Sequence, residues 1–230
     1  MSKYLVVGGS GSIGHKIIEQ IISEGHTVLA TYNSHLPNVT ESESSKVKYV
    51  KCNIIDHEFD EIINNQVEHI IYCIGTCCYH DLFSADYDEF QEQCNLQVYA
   101  PLDIIRKYMN KNNNLKSIIL ISSDAGVRPS IESSYYGMAK KLMIVMADIL
   151  KDKLIHEGIR INTIAPGLTY SDMAVRLCKF RNIDISAEEY KRIDYKLVDT
   201  EEISNLCMFL TSDKANHING QVIEINSALN

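Results

Sequence analysis

Short apolar runs alternate with helical spacings along the chain. Tyr4–Val7 is an apolar run that stops at glycines, as a buried strand does. Ile13–Ser23 follows with Ile13, Ile17, Ile18, Ile21 and Ile22 on one helical face, and Gly25 closes it. Further strands are predicted over Thr27–Thr31, Val47–Cys52, Glu68–Ile74, Ser117–Ile121, Arg160–Ala165 and Gln221–Ile225. Helices are predicted over Asp86–Asn110, Tyr136–Leu154 and Glu201–Leu210. Strands that alternate with helices build a parallel sheet covered on both faces and joined by right-handed crossovers. The expectation is a single α/β domain over residues 1–230, with a doubly wound, mostly parallel sheet. No Pro/Ser-rich linker or repeat divides it; Ser34–Ser45 reads as a polar loop and Asn110–Asn114 as a turn.

The glycines after the first strand give that sheet a chemistry. Gly8-Gly9-Ser10-Gly11-Ser12-Ile13-Gly14 contains G-x-G-x-x-G through Gly9, Gly11 and Gly14, between a strand and a helix. Side chains there would keep the backbone from a pyrophosphate, and the helix start supplies free N–H groups and a positive dipole end. This context marks a Rossmann-type dinucleotide site. An acid at the end of the second strand goes with NAD. Here that strand ends Ala30-Thr31-Tyr32-Asn33-Ser34-His35, with neither acid nor Arg. Hydroxyl, amide and imidazole groups suit a 2′-phosphate, so the cofactor expectation leans to NADP over NAD, with Asn33 in the site.

Composition narrows the class. Of 230 residues, 45% are hydrophobic and 23% charged, the balance of a globular domain. A net charge of −8 argues against nucleic acid as a partner. No stretch approaches the roughly 20 uncharged apolar residues of a membrane helix. MSKYLVVGGSGSIG has no apolar run of signal-peptide length before its glycines, so a cytoplasmic location is expected. The seven cysteines are then reduced thiols. Cys73, Cys77, Cys78 and His80 cluster, but a zinc site needs four well-spaced ligands and no second half-site follows; no metal is expected.

Tyr136-Gly137-Met138-Ala139-Lys140 puts a phenol and an ammonium at i and i+4, on one helix face. A phenol has a pKa of about 10, and a nearby cation lowers it. A tyrosine tuned in this way can exchange a proton with a carbonyl oxygen. The pair follows the strand Ile118-Ile119-Leu120-Ile121-Ser122-Ser123, and open α/β sheets hold ligands at strand carboxyl ends.

In these motifs and their order, nearly the whole chain resembles the short-chain dehydrogenase/reductase superfamily, and 3-oxoacyl-carrier-protein-reductase-like members in particular. Many members carry an active serine thirteen positions before the tyrosine, which matches Ser123. The family's asparagine matches Asn95, in Cys94-Asn95-Leu96-Gln97-Val98. Pro166-Gly167-Leu168-Thr169-Tyr170-Ser171 resembles the segment beside the nicotinamide, with Ser171 where threonine is usual. Asn219-Gly220-Gln221 before the last strand resembles the C-terminal signature. The resemblance implies that Tyr136 is the acid/base and that Lys140 tunes it and holds the nicotinamide ribose. It also implies that Ser123 binds the substrate oxygen and that Asn95 helps hold a water linking Lys140 to solvent. The implied cofactor set is Gly8 to Gly14 (with Ser10, Ser12 and Ile13), Asn33, Asn53, Gly75, Tyr136, Lys140, Pro166, Gly167 and Ser171.

There are departures. Val7 and Ser12 replace the threonine and middle glycine of one family loop, and the spacing through Gly8, Gly11 and Gly14 fits a longer, sugar-nucleotide branch better. Asn53 stands for an adenine-contacting aspartate, and Cys73-Ile74-Gly75 for Asn-Ala-Gly. Asn226-Ser227-Ala228 replaces a C-terminal Asp-Gly-Gly, and the second-to-fourth-strand stretch is short enough to reduce or remove a crossover helix.

The leading expectation is NAD(P)-dependent reduction of a ketone or aldehyde, or oxidation of the alcohol. A non-catalytic dinucleotide sensor and a sugar-nucleotide-modifying enzyme stand beside it. Enoyl reduction in this superfamily wants a lysine seven residues after the tyrosine, and position 143 is Met. A substrate lid is expected near 168–200. Within Lys179–Lys196, Phe180, Tyr190 and Tyr195 lie among Lys179, Arg181, Lys191, Arg192 and Lys196, which suits either a solvated helix or an anionic substrate, such as a carrier-bound acyl group or a phosphorylated sugar. Many family members are homo-oligomers paired through the two long helices, so a homotetramer is expected.

Overall fold

The computed structural model describes residues 1–38, 44–57, 59–76, 80, 82–84, 86–111, 114–180, 182, 184 and 197–226. Its centre is a seven-stranded sheet of β1 (Lys3–Val7), β2 (Thr27–Tyr32), β3 (Val47–Lys51), β4 (His69–Tyr72), β5 (Ser117–Ile121), β6 (Arg160–Pro166) and β7 (Val222–Ile225). The order is β3-β2-β1-β4-β5-β6-β7 and every pairing is parallel. Register pairs Leu5 with Ile70 and Leu120 with Thr163. β4, β5 and β6 are buried throughout, whereas edge strands β3 and β7 are partly exposed. A strand covered on both faces reads as a continuous apolar run.

The helices are α1 (Ser12–Ser23), α2 (Asp60–Ile63), α3 (Tyr87–Cys94), α4 (Ala100–Asn110), α5 (Asp124–Val127), α6 (Ser134–His156), α7 (Asp172–Phe180) and α8 (Thr200–Thr211). Successive strand residues face opposite ways, and this splits the core into two layers. Leu5, Val7, Ile70, Tyr72, Ile118 and Leu120 meet Ile104, Tyr108 and Met143 of α4 and α6. Tyr4, Val6, Ile71, Ile119 and Ile121 meet Ile17, Ile21, Ile203 and Cys207 of α1 and α8. No helix among the described residues is long and apolar enough to cross a membrane.

As its short sequence predicts, the crossover from β3 to β4 is reduced to the four residues of α2. One element differs from the pattern-based expectation. The long helix over 86–110 is not uniform: α3 and α4 are separated by a π-helical turn, Asn95–Tyr99, in which the Ala100 N–H bonds the Asn95 carbonyl. Pro101 sits just beyond it. Proline has no N–H and its ring crowds the carbonyl four residues earlier, so the wider turn accommodates it.

The sheet reverses its winding at β1 and β4, and ligands of open α/β sheets settle outside the strand carboxyl ends at that point. Gly8–Gly14 follows β1, Cys73–Gly75 follows β4, Ser122–Ser123 follows β5 and Gly167–Ser171 follows β6. Parallel strands therefore bring all the sequence-predicted segments to one edge.

Candidate active site

The glycine loop is tied to the sheet on both sides. Gly8 N–H donates to Thr31 Oγ1 at 3.0 Å and Gly9 N–H to the Thr31 carbonyl at 2.9 Å. Thr31, one residue of a strand end that looked merely polar, is thus a loop anchor that sequence reasoning missed. Gly8 adopts φ 91°, a left-handed conformation that L side chains resist. A β-carbon on Gly14 would collide with the Gly8 carbonyl oxygen, so this glycine lets α1 approach the loop. At Gly11, in contrast, a β-carbon would meet only the Gly8 oxygen, at 3.6 Å. Gly11 caps α1 with no side-chain hydrogen bond, and no acid lies in the first turn. Ser10, Gly11 and Ser12 are exposed there. Exposed N–H groups, a helix dipole and an open approach at Gly11 fit a pyrophosphate.

The rest of the expected cofactor set is spread along the same edge. Asn33 is exposed just past β2. The Asn53 side chain accepts from Ile55 N–H at 3.3 Å and caps a short helical turn. Cys73, in the place of the family asparagine, donates its thiol to the Val7 carbonyl at 3.0 Å; burial pushes this thiol up to about 12. Gly167 N–H bonds the Ile225 carbonyl at 2.8 Å, next to Pro166 at the end of β6. Ser171 Oγ accepts from Ala174 N–H at 3.2 Å, so it caps α7 as well as lining the cavity described below.

Lys140 is almost fully buried. Its ammonium donates to the carbonyls of Ile121, at 2.8 Å, and Ile74, at 3.3 Å, and so reaches from α6 to the ends of β5 and β4. It lies 5.8 Å from the centre of the Tyr136 ring. A β-carbon on Gly75 would be 3.5 Å from the ammonium, which places the lysine beside the β4 loop. Burial draws this ammonium down to about 7, while the nearby Cys73 thiol acts in the other direction.

Ser123 caps α5: its Oγ accepts from Ala125 N–H and lies 3.1 Å from Asp124 Oδ1, to which it donates. Close backbone packing carries it to the tyrosine. A β-carbon on Gly126 would sit 2.8 Å from the Lys140 backbone carbon, and one on Gly137 would lie 3.0 Å from the Ala125 carbonyl and collide with Ser133. Two glycines thus seat α5 on the Tyr136–Lys140 turn. Ser122 Oγ adds a 3.0 Å bond to the Lys140 carbonyl. Tyr135 points elsewhere, its ring 4.9 Å from that of Phe90 on α3. Asn95 is half-buried in the π turn, with its carbonyl engaged by Ala100.

A cavity of about 400 Å³ opens over this cluster. Ser123 and Tyr136 line it together with Arg128, Gly167, Leu168, Met173 and Leu177. Its outer wall is α7, and the segment's two ends are pinned: Thr169 bridges Val198, and Val198 N–H donates to the Leu168 carbonyl at 2.9 Å. Of the basic and aromatic lid residues expected, Lys179 and Phe180 end α7, while Arg181, Tyr190, Lys191, Arg192, Tyr195 and Lys196 lie outside the described residues. So do Cys77 and Cys78.

Comparison with known proteins bears on the family and the fold. Residues 8–229 match a family model described as enoyl-(acyl carrier protein) reductase, one of the short-chain dehydrogenase/reductase models. An uncharacterized oxidoreductase, YmfI, of Bacillus subtilis is 25% identical over 235 residues, covering 96% of each chain. The 3-oxoacyl-[acyl-carrier-protein] reductase FabG of Salmonella typhimurium is 25% identical, covering 98% of this chain and 96% of its own. A short chain dehydrogenase family protein from Francisella tularensis superposes with a TM-score of 0.86 at 25% identity, over 99% of this chain and 98% of its own. ElxO, solved with NADP bound, gives the same TM-score at 20% identity, with the same coverage.

Proposed function

The chain belongs to the short-chain dehydrogenase/reductase family, and from that premise we propose that it is an NADP-preferring carbonyl reductase in which Tyr136 is the proton donor. The observation that carries this reading is the joint placement of Tyr136 and Ser123 in one cavity wall, with the buried Lys140 ammonium behind the phenol. A bound nicotinamide cofactor supplies hydride to the carbonyl carbon. The chain's own residues supply the rest.

Gly8 to Gly14, with Ser10, Ser12 and Ile13, would hold the pyrophosphate; Gly75, Lys140, Pro166, Gly167 and Ser171 would hold the nicotinamide end, and Asn33 and Asn53 the adenine end. Ser123 Oγ hydrogen-bonds the substrate oxygen and holds it toward Tyr136. As negative charge grows on that oxygen, the Tyr136 hydroxyl gives up its proton. The Lys140 ammonium favours the phenolate left behind. Asn95 would help hold a water that links Lys140 to solvent.

Position 143 argues for a carbonyl over an enoyl substrate. Met143 is fully buried in the core beside α4, so a second, distal lysine of the enoyl-reducing kind has no counterpart there. The cavity is large enough for a small acyl or ring ketone, and the basic residues of 179–196 suit a carrier-bound or otherwise anionic one. The protein acts as a homotetramer built through α4 and α6, where Leu142, Val145 and Ile149 form an exposed apolar stripe on α6 and Leu102 lies exposed on α4. The test is turnover of a panel of acetoacetyl thioesters, sugar ketones and steroid ketones with NADPH and NADH. Consumption of reduced nicotinamide with NADPH favoured is expected. Tight cofactor binding with no turnover of any carbonyl identifies a dinucleotide sensor instead.

A further inference from the structure

Arg128 ends α5, with its N–H bonded to the Asp124 carbonyl at 2.8 Å, and it lines the cavity that holds Ser123 and Tyr136. Among the described residues it is the one cation in that lining. Its Nη2 donates to Glu224 Oε2 at 2.5 Å. Glu224 lies on edge strand β7, in register with Ala165 of β6, and Asn226 Nδ2 donates to the same carboxylate oxygen at 2.9 Å. A guanidinium carries five N–H donors in a planar fork. Among the described residues the Arg128 side chain makes no other hydrogen bond, so the contact with Glu224 leaves most of that fork open. Exposed ion pairs contribute little to stability. What this one does is hold the guanidinium at the cavity edge.

The cavity thus has two polar ends and an apolar side. Ser123 and Tyr136 form the end at which a carbonyl oxygen is held, Leu168, Met173 and Leu177 form the apolar side, and Arg128 forms the second polar end. A planar fork matches the two oxygens of a carboxylate, and bidentate pairs of this kind are short and strong. The neighbouring acids limit the charge that fits. Asp124 Oδ1 is engaged by Ala125 N–H at 2.7 Å and by the Ser123 hydroxyl. Glu132, however, lines the same cavity, and Glu224 already offsets part of the guanidinium charge. A dianionic phosphate meets more repulsion from these two than a single carboxylate does.

We propose that Arg128 is a specificity-determining residue that holds the carboxylate of an oxo acid, with the ketone between Ser123 and Tyr136 and the alkyl part against Leu168, Met173 and Leu177. The proposal rests on the carbonyl-reductase reading and narrows it to small substrates that bring their own carboxylate into the cavity. Glu224 is the counter-charge that aims the guanidinium and competes with the substrate for it.

Hexanoate has the carboxylate and the chain but no carbonyl, so its binding needs no turnover; hexanamide is its uncharged twin. Calorimetric titration into the protein saturated with NADP should show hexanoate binding at least about tenfold tighter than hexanamide. Arg128→Met should weaken hexanoate about 10- to 100-fold, the scale of a lost hydrogen-bonded charge pair, and Arg128→Lys should fall between. Glu224→Gln should tighten hexanoate severalfold. An ion pair that merely braces β7 would respond in the same direction to the loss of either partner, whereas an anion site responds in opposite directions. With NADPH, 5-oxohexanoate should be preferred to its methyl ester in kcat/KM, and Arg128→Met should erase that preference. If hexanoate binds through Arg128 and no carbonyl is reduced, the anion site stands and the reductase reading falls. Should Arg128→Met not fold, Arg128→Lys and Glu224→Gln carry the same decision. Hexanoate that does not bind, binds no better than hexanamide, or is indifferent to Arg128 overturns the proposal.

Discussion

Lys140 is held in a position that works against folding. Its ammonium drops from the usual 10.5 to about 7 because it is buried. Between those two values the unfolded chain keeps a proton that the folded chain lacks, so this group's contribution to stability improves as pH rises from about 7 to about 10.5. At and below about pH 7 the folded state carries the full desolvation cost. An apolar side chain of similar volume carries no such desolvation cost. Lys140→Met should therefore raise Tm near pH 6, with the gain shrinking toward pH 10, while turnover is lost and cofactor binding weakens. Thermal melts at the two pH values check this, and a Tm that falls at both assigns Lys140 a purely structural role. Cys73 presents the opposite case. Its thiol, pushed up to about 12, stays protonated and bonded to the Val7 carbonyl, so it should resist alkylation at neutral pH until the protein unfolds.

At the scale of elements, the glycine loop divides its labour. Gly14 serves packing, since a β-carbon there strikes the Gly8 carbonyl; a β-carbon on Gly11 would make only an ordinary contact with the Gly8 oxygen. Gly11→Val should leave the fold intact and weaken dinucleotide binding at least tenfold, whereas Gly14→Val should lower Tm by several degrees as well. Cofactor titration by fluorescence beside a thermal melt separates the two, and unchanged cofactor affinity in folded Gly11→Val contradicts the placement. The strands and main helices were legible because Ile- and Val-rich runs with 3.6- and 2-residue periods carry their burial in the sequence. Positions that depend on contacts between distant segments were not. Nothing local marks Thr31 as the anchor of Gly8 and Gly9, or Gly126 and Gly137 as the contact that brings Ser123 to Tyr136. The π turn at Asn95–Tyr99 was hidden inside an apparently regular helix, and with it the burial of Gln97. Ser171 shows a related gap: its place beside the nicotinamide followed from resemblance, while its bond to Ala174 N–H emerges only once α7 is seen to begin there.

The whole molecule is a parallel sheet that gathers four loops on one edge, and its functional account depends on which side chain of that edge moves a proton. The apolar stripe of Leu142, Val145 and Ile149 on α6 belongs to this scale too. Val145→Glu together with Ile149→Glu should convert a tetramer to smaller species in light scattering while each chain stays folded. An unchanged mass places the association surface elsewhere. The most direct test of the central claim sets two adjacent tyrosines against each other. Tyr136 lines the cavity beside the buried ammonium, and the Tyr135 ring packs at a tilt against Phe90. General acid assistance is worth about 10²- to 10⁴-fold, so Tyr136→Phe should lower kcat for carbonyl reduction by at least that lower bound with cofactor affinity retained. Tyr135→Phe, which keeps the ring contact with Phe90, should remain close to wild type. Near-normal turnover by Tyr136→Phe would contradict the account.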